Sequence, residues 1–236
     1  MRAESLSCTD VDPVAITDVL AIDGPAGAGK STVARRVAET LRFAFLDTGA
    51  MYRAATWNAM YRGADMDDGN ALAEATRAMH LDIRESQQGQ IVLVDGRDIT
   101  QAIRTPEVTQ RIARLDHNAA VRAHLVELQR EFGARGRTVA EGRDMGTVVF
   151  PSAKCKVYLD ASLDERAHRR AREFEAKGIA FDPDALHNDI RTRDEKDMTR
   201  ALAPLRRADD AVLVDTSAMT SEEAIDTIIA LARRRW

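Results

Sequence analysis

Cysteine is almost missing from this chain: only Cys8 and Cys155 occur in 236 residues. Two thiols with no CxxC spacing make neither a disulfide framework nor a zinc cage, so a reducing cytoplasm is the expected setting. Aromatic residues are few, at 5%. No apolar run approaches the ~20 residues of a membrane-spanning helix. Met1–Asp18 lacks the apolar stretch of a secretory signal and is read as a flexible lead-in. Charge of one sign is also lacking: 34 Lys and Arg against 38 Asp and Glu leave a net charge of −4. Bulk electrostatics therefore does not draw in a nucleic acid polymer. The five histidines have no metal-ligand spacing, and no Ser–His or Cys–His arrangement suggests a covalent nucleophile. GTPase and motor signatures are absent too: there is no base-reading NKxD, no LSGGQ, and no apolar strand ending in Asp-Glu.

What is present suits one sizeable soluble domain with an inserted lobe. Hydrophobic residues make up 44% and charged residues 31%, enough for a substantial core. Val19–Ile22 reads as a strand, and Lys30–Leu41 has a helical period at Val33, Val37 and Leu41. Phe43–Leu46 reads as a second strand, with a helix from Ala50 to Tyr61 that stops at Gly63. This opens an α/β fold with a parallel sheet. From Ala64 the rhythm changes. His80–Val94 reads as an antiparallel ribbon around Gln87-Gln88-Gly89. Pro106 then opens a long helix with a break near Asp116–Asn118. Short strands return at Thr138–Ala140, at Cys155–Leu159 and in Ala211–Val214. Between them lie a basic helix, Leu163–Lys177, and a helix begun by Asp182-Pro183. Thr220 to Glu223 form a capping box for the last helix.

The strongest motif is Gly24-Pro25-Ala26-Gly27-Ala28-Gly29-Lys30-Ser31, which satisfies GxxxxGK[ST] between a strand and a helix. Glycines let main-chain N–H groups turn inward, and the helix aims its positive end at the same point. Lys30 can reach β- and γ-phosphates, and the Ser31 hydroxyl can ligate Mg²⁺. The motif predicts nucleoside triphosphate binding and leaves the acceptor open.

Three further groups bear on the acceptor. Asp47-Thr48-Gly49-Ala50-Met51-Tyr52-Arg53 follows the second strand, at the edge where open α/β sheets bind ligands. Arg53 there either holds a phosphate or lies on a helix surface. Glu141-Gly142-Arg143-Asp144 follows another strand and offers a phosphate donor beside a carboxylate that can read an exocyclic amine; it is equally readable as a structural turn. Arg191 to Arg200 alternates charge so densely that no helix face is apolar. It is either a solvated surface or a mobile lid bearing arginines. An acceptor that is itself a phosphate needs no general base, so the lack of one is consistent with positioning by Lys, Arg and Mg²⁺.

With these motifs and "AIRTPEV", "EGRDMGTVVFP", "LDASLDERAHRR" and "RDEKDMTRALAPL", the chain resembles the bacterial cytidylate kinases from about Val19 to its end. The resemblance implies a P-loop NTPase fold with a five-stranded parallel sheet flanked by helices. It implies a single nucleoside monophosphate kinase domain over 19–236, with a small antiparallel β-containing insert at about 64–125 and a short lid at about 191–204. The implied activity is ATP-dependent phosphorylation of CMP and dCMP with Mg²⁺, by a cytoplasmic monomer without nucleic acid or membrane partners. Another small acceptor such as UMP, or a catalytically silent nucleotide-binding module, is the alternative. By motif, Gly24 to Thr32 and Arg169 contact ATP, with Ser31 as the Mg²⁺ ligand. Thr48, Tyr52, Arg53, Arg104, Arg122, Arg143, Asp144, Arg193, Asp197 and Arg200 line the CMP site. Lys30, Arg193 and Arg200 carry the catalytic charge. One departure stands out. The family commonly has serine at Ala113, contacting the cytosine edge, and without it Asp144 and nearby arginines carry more of the discrimination.

Overall fold

All five residues of Val19–Asp23 (β1) are buried, as expected of a central strand covered on both faces. Its side chains alternate. Leu20 and Ile22 pack with Val33, Val37 and Ile228, while Val19 and Ala21 pack with Leu46, Met51 and Phe150. The computed structural model describes residues 16–86, 89–176 and 178–236. β1 lies at the middle of a five-stranded sheet ordered β2-β6-β1-β7-β8. The others are β2 (Ala44–Asp47), β6 (Thr138–Gly142), β7 (Cys155–Asp160) and β8 (Val212–Asp215), and every pairing is parallel. α1 (Lys30–Leu41) and α8 (Ser221–Arg233) cover one face, with the Thr220–Glu223 capping box in place.

Parallel register gathers the strand ends at one edge. Asp47 pairs with Glu141, and Asp23 with Gly142. Ligands of open α/β sheets bind beyond this edge.

The chain between β2 and β6 builds a second core. It comprises α2 (Thr48–Tyr61), α3 (Gly69–Arg77), β3 (Leu81–Ser86), β4 (Gly89–Val94), β5 (Arg97–Asp98), a 3₁₀ turn (Ala102–Arg104), α4 (Pro106–Asp116) and α5 (Ala119–Gly133). Leu72, Val92, Val94, Ile99, Ile103, Leu115 and Leu125 fill it. The expected ribbon is β3 against β4; its Gln87 and Gln88 lie outside the described residues. A third strand, β5, joins through Asp95-Gly96, where φ is 50° and 78°. That Asp-Gly turn is a hairpin signal the sequence reading passed over. Helix α3, capped by Asp68 on the Asn70 N–H at 2.8 Å, has no counterpart among the sequence expectations; Asp-Gly is a turn signal as well as a cap. The expected break in the long helix is real: α5 starts afresh with Asn118 capping Ala120 and Val121.

Two expectations need correction. The lead-in does not run to Asp18. Ile16 is buried in the core, and the carbonyls of Thr17 and Asp18 accept from Lys154 and Thr138 N–H at 2.9 and 3.0 Å. Residues 1–15 lie outside the described residues. The charged run from Arg191 is not simply a solvated surface either. It is the second half of α7 (Pro183–Thr199), whose buried face is Leu186, Ile190 and Asp194, four residues apart. That apolar stripe ends in a carboxylate, held by Arg166 on α6 (Leu163–Ala176). Among the described residues no helix is long and apolar enough to cross a membrane.

Candidate active site

The glycine turn leaves β1 in a place only glycine fits. A Cβ on Gly24 would stand 2.0 Å from the Leu159 carbonyl oxygen of β7. Gly29, at φ 87°, is the N-cap of α1 and provides no side-chain cap, so the first N–H groups of the helix stay open to an anion. Pro25, Ala26 and Ala28 are buried, while Ser31 and Thr32 are exposed. Lys30 is buried, and its Nζ donates to the Pro25 carbonyl at 2.7 Å. Burial, with Arg143 nearby, pulls its pKa down to about 7 against the pull of Glu141.

Glu141, at the end of β6, accepts from the Ser31 hydroxyl. Burial and the neighbouring Asp47 push its pKa up to about 7, and its Oε1 is shielded with no hydrogen-bond partner. Among the described residues there is no cluster of three metal-ligating side chains. A Mg²⁺ held mainly by phosphate oxygens and water needs only one or two protein ligands. The Ser31 hydroxyl beside an unsatisfied carboxylate fits that requirement.

Guanidinium groups gather near the cradle, where Arg143 and Arg193 act on Lys30 and Arg53 acts on Arg193; the region they border is the cleft. Arg143 Nε donates to Asp197 Oδ2 at 2.8 Å. Arg193 keeps an exposed surface, although its guanidinium is partly stripped of water. Desolvation, then Arg143, lowers its pKa; Arg53 adds to this and Asp197 opposes it. Lys30 also feels Arg143 and Arg193, so cradle and cleft share one electrostatic neighbourhood. Arg122 and Asp144 form a buried pair at 2.5 Å, with the Arg122 guanidinium 5.8 Å from the centre of the Tyr52 ring. Burial raises the Tyr52 phenol well above its ordinary pKa. Arg200 is buried. Its Nε donates to the Ala203 carbonyl at 2.7 Å, and its Nη2 is shielded without a partner.

Other predicted residues are placed differently. The Thr48 hydroxyl is spent on the Glu141 carbonyl at 2.7 Å. Arg104 is exposed at the end of its 3₁₀ turn. Arg169 lies beneath the glycine turn with donors on Glu165 and Thr216, and its Nη1 is 3.4 Å from the Ala28 carbonyl.

Comparison with known proteins now bears on this geometry. A model of the cytidylate kinase family matches residues 20–234. The chain belongs to the cytidylate kinase family. A cytidylate kinase of Anoxybacillus flavithermus is 43% identical over 92% of this chain and 96% of its own length. A bifunctional pantoate ligase/cytidylate kinase of Synechocystis is 48% identical over 92% of this chain. This chain spans about 43% of that relative's length. Among solved structures, an uncharacterized protein from Eubacterium ventriosum shares the fold, with a TM-score of 0.50 and 12% identity, over 92% of this chain and 99% of that one.

Within this family member, four carboxylates near the cradle and cleft have no role that the motifs assign. Asp23 accepts from the N–H groups of Met145 and Gly146, each at 2.8 Å, tying the loop after β6 to β1. Burial lifts its pKa to about 6, against those two hydrogen bonds. Asp194 accepts from Ala26 N–H at 3.3 Å and pairs with Arg166, which donates to the Ala26 carbonyl at 3.0 Å. Glu141 was in view only as a neighbour of Arg143. Asp116, at the end of α4, feels the charges of His117, Arg200, Asp197 and Arg122. The one signal for Asp194 was its four-residue spacing from Ile190 and Leu186.

Proposed function

We propose that the protein transfers the γ-phosphoryl group of ATP to CMP and dCMP, yielding ADP and CDP or dCDP. The observation that carries this reading is the convergence of Lys30 with Arg143 and Arg193. A triphosphate in the cradle and an acceptor phosphate in the cleft would meet across that shared charge. An anionic oxygen of the acceptor phosphate attacks the γ-phosphorus, and the bond to the β–γ bridging oxygen breaks with its electron pair leaving on ADP. No proton need be removed first, so positioning and charge neutralisation are what the protein supplies.

In this reading Gly24 to Thr32 hold ATP, with Lys30 on its outer phosphates and Arg169 supporting the turn from below. Mg²⁺ bound with the nucleotide would be met by Ser31, backed by Glu141, and would offset phosphate charge. Arg53, Arg143, Arg193 and Arg200 hold the acceptor phosphate and the transferring group. Tyr52, Arg122 and Asp144 face the base, and Asp197 faces the sugar, with Thr48 and Arg104 at the margin. The segment at about 64–125 serves as the acceptor-binding insert, and about 191–204 as the lid. The reading extends to a cytoplasmic monomer, in keeping with the scarcity of cysteine.

ADP release measured with CMP, dCMP, UMP, AMP or GMP as sole acceptor tests it. Rapid turnover with CMP and dCMP is expected, and ADP at background with both refutes it. Lys30→Ala is expected to lower turnover by about 10³-fold or more without loss of thermal stability, since it removes a desolvated charge.

A further inference from the structure

Asp116 lies one helical turn beyond Ala113 on α4, so the two share a face. Its Oδ1 is shielded from solvent and makes no hydrogen bond. The nearest cationic atom is His117 Nδ1 at 3.5 Å, and that nitrogen already faces the Ala113 carbonyl at 2.9 Å. The carboxylate interacts with Arg200, Asp197 and Arg122, with Tyr52 and with Arg193. These groups belong to α2, α5, α7 and the residue that ends α7, which wall the acceptor cleft. The cleft's other carboxylates are engaged, Asp144 by Arg122 and Asp197 by Arg143. A carboxylate oxygen shielded from water and without a donor is costly unless a ligand brings one.

We propose that Asp116 determines base specificity by accepting a hydrogen bond from the exocyclic amine of the acceptor's cytosine. It neighbours Tyr52 and Arg122, the flat groups against which a base can lie. It also extends the face on which Ala113 offers no hydroxyl. Uracil would turn a carbonyl oxygen toward the same carboxylate, leaving two acceptors buried against each other. Burial holds the Asp116 carboxyl above its ordinary pKa, with His117 and Arg200 opposing, as an uncompensated acceptor should behave. The inference rests on the acceptor reading proposed above.

The test is steady-state kinetics of wild type, Asp116→Ala and Asp116→Asn with CMP, dCMP and UMP at saturating ATP, alongside thermal unfolding. Wild-type turnover is read first: if CMP and dCMP are both inert, the proposed reaction falls and this inference with it. With that activity present, Asp116→Ala is expected to raise KM about tenfold for CMP and dCMP alike. Its KM for UMP should fall, since the alanine removes the acceptor that faces uracil's carbonyl; kcat should change little, and Tm should not fall. Asp116→Asn, whose amide can donate to a carbonyl, should use UMP better than the alanine variant does. Equal losses for CMP and UMP would overturn the base contact. So would a loss with CMP that spares dCMP, which would mark a sugar hydroxyl as the partner. Unchanged selectivity with a lowered Tm would make Asp116 structural and overturn the proposal alone.

Discussion

The turn Gly24–Gly29 offers main-chain N–H groups at the mouth of α1, whereas the proposed acceptor cleft depends on the heads of Arg53, Arg122, Arg143, Arg193 and Arg200. The cradle is built from consecutive residues, and its main-chain donors carry no charge to balance; only Lys30 is cationic there, opposed by Glu141 and Asp23. The cleft draws on α2, α5, the loop after β6 and α7, and its guanidinium groups are balanced in place: Arg143 against Asp197, Arg122 against Asp144. A site made of backbone is set by the local fold. A site made of arginines must also hold carboxylates that compete with the ligand for the same donors. Two joints connect the halves. Asp23 fixes the Met145–Gly146 backbone to β1, and Asp194 reaches from α7 to the Ala26 N–H while paired with Arg166.

Breaking a joint should have the largest effect. Asp194→Ala leaves Arg166 buried without its counter-charge, which typically costs about 3–5 kcal/mol. Urea unfolding should show that loss, and nucleotide titrations should show ATP and CMP affinity falling together. Wild-type stability, or a loss confined to one nucleotide, would mean the halves are not joined there. Separating the halves should have the next largest effect. Arg200→Ala removes a cleft guanidinium whose Nη2 is buried and unspent. It is expected to lower kcat/KM for CMP by about 10²-fold, roughly 2.7 kcal/mol, while ATP affinity stays within about twofold. An equal fall in ATP affinity would show that Arg200 serves both halves.

This contrast also explains what the sequence reveals. The cradle is legible because its spacing is its mechanism: glycines, a lysine and a hydroxyl in one octapeptide. The parallel sheet is legible because buried strands read as short apolar runs between helices. Arg143 and Asp144 are legible as residues at a strand's end, but their partners Asp197 and Arg122 come from far along the chain and no period links them. Asp194 shows the limit most clearly. In "RDEKD" it is one charge among many, and only the inward face begun by Leu186 and Ile190 buries it against Arg166. Helix α3 and strand β5 were hidden for a different reason. Each begins at an Asp-Gly pair, and the same dipeptide caps a helix at Asp68 and turns a hairpin at Asp95.

Glu141 allows the smallest and most diagnostic test, because it lies on the seam between cradle and cleft. Its carboxyl pKa is pushed up to about 7 by burial and by Asp47. The folded chain therefore holds this proton more tightly than the unfolded chain between about pH 4.5 and 7. Stability falls as pH rises through that window, and the full penalty is present above it. Glu141→Gln removes the ionisation. The variant should match wild type at pH 4.5 and exceed it at pH 8 by on the order of 1–3 kcal/mol, measured as denaturant midpoints at the two pH values. Lys30, its own pKa drawn down to about 7, is largely neutral at pH 8 and does not offset this gain. A difference of the same size at both pH values would mean that the Glu141 carboxyl does not ionise against its burial, and that the seam between the halves lies elsewhere.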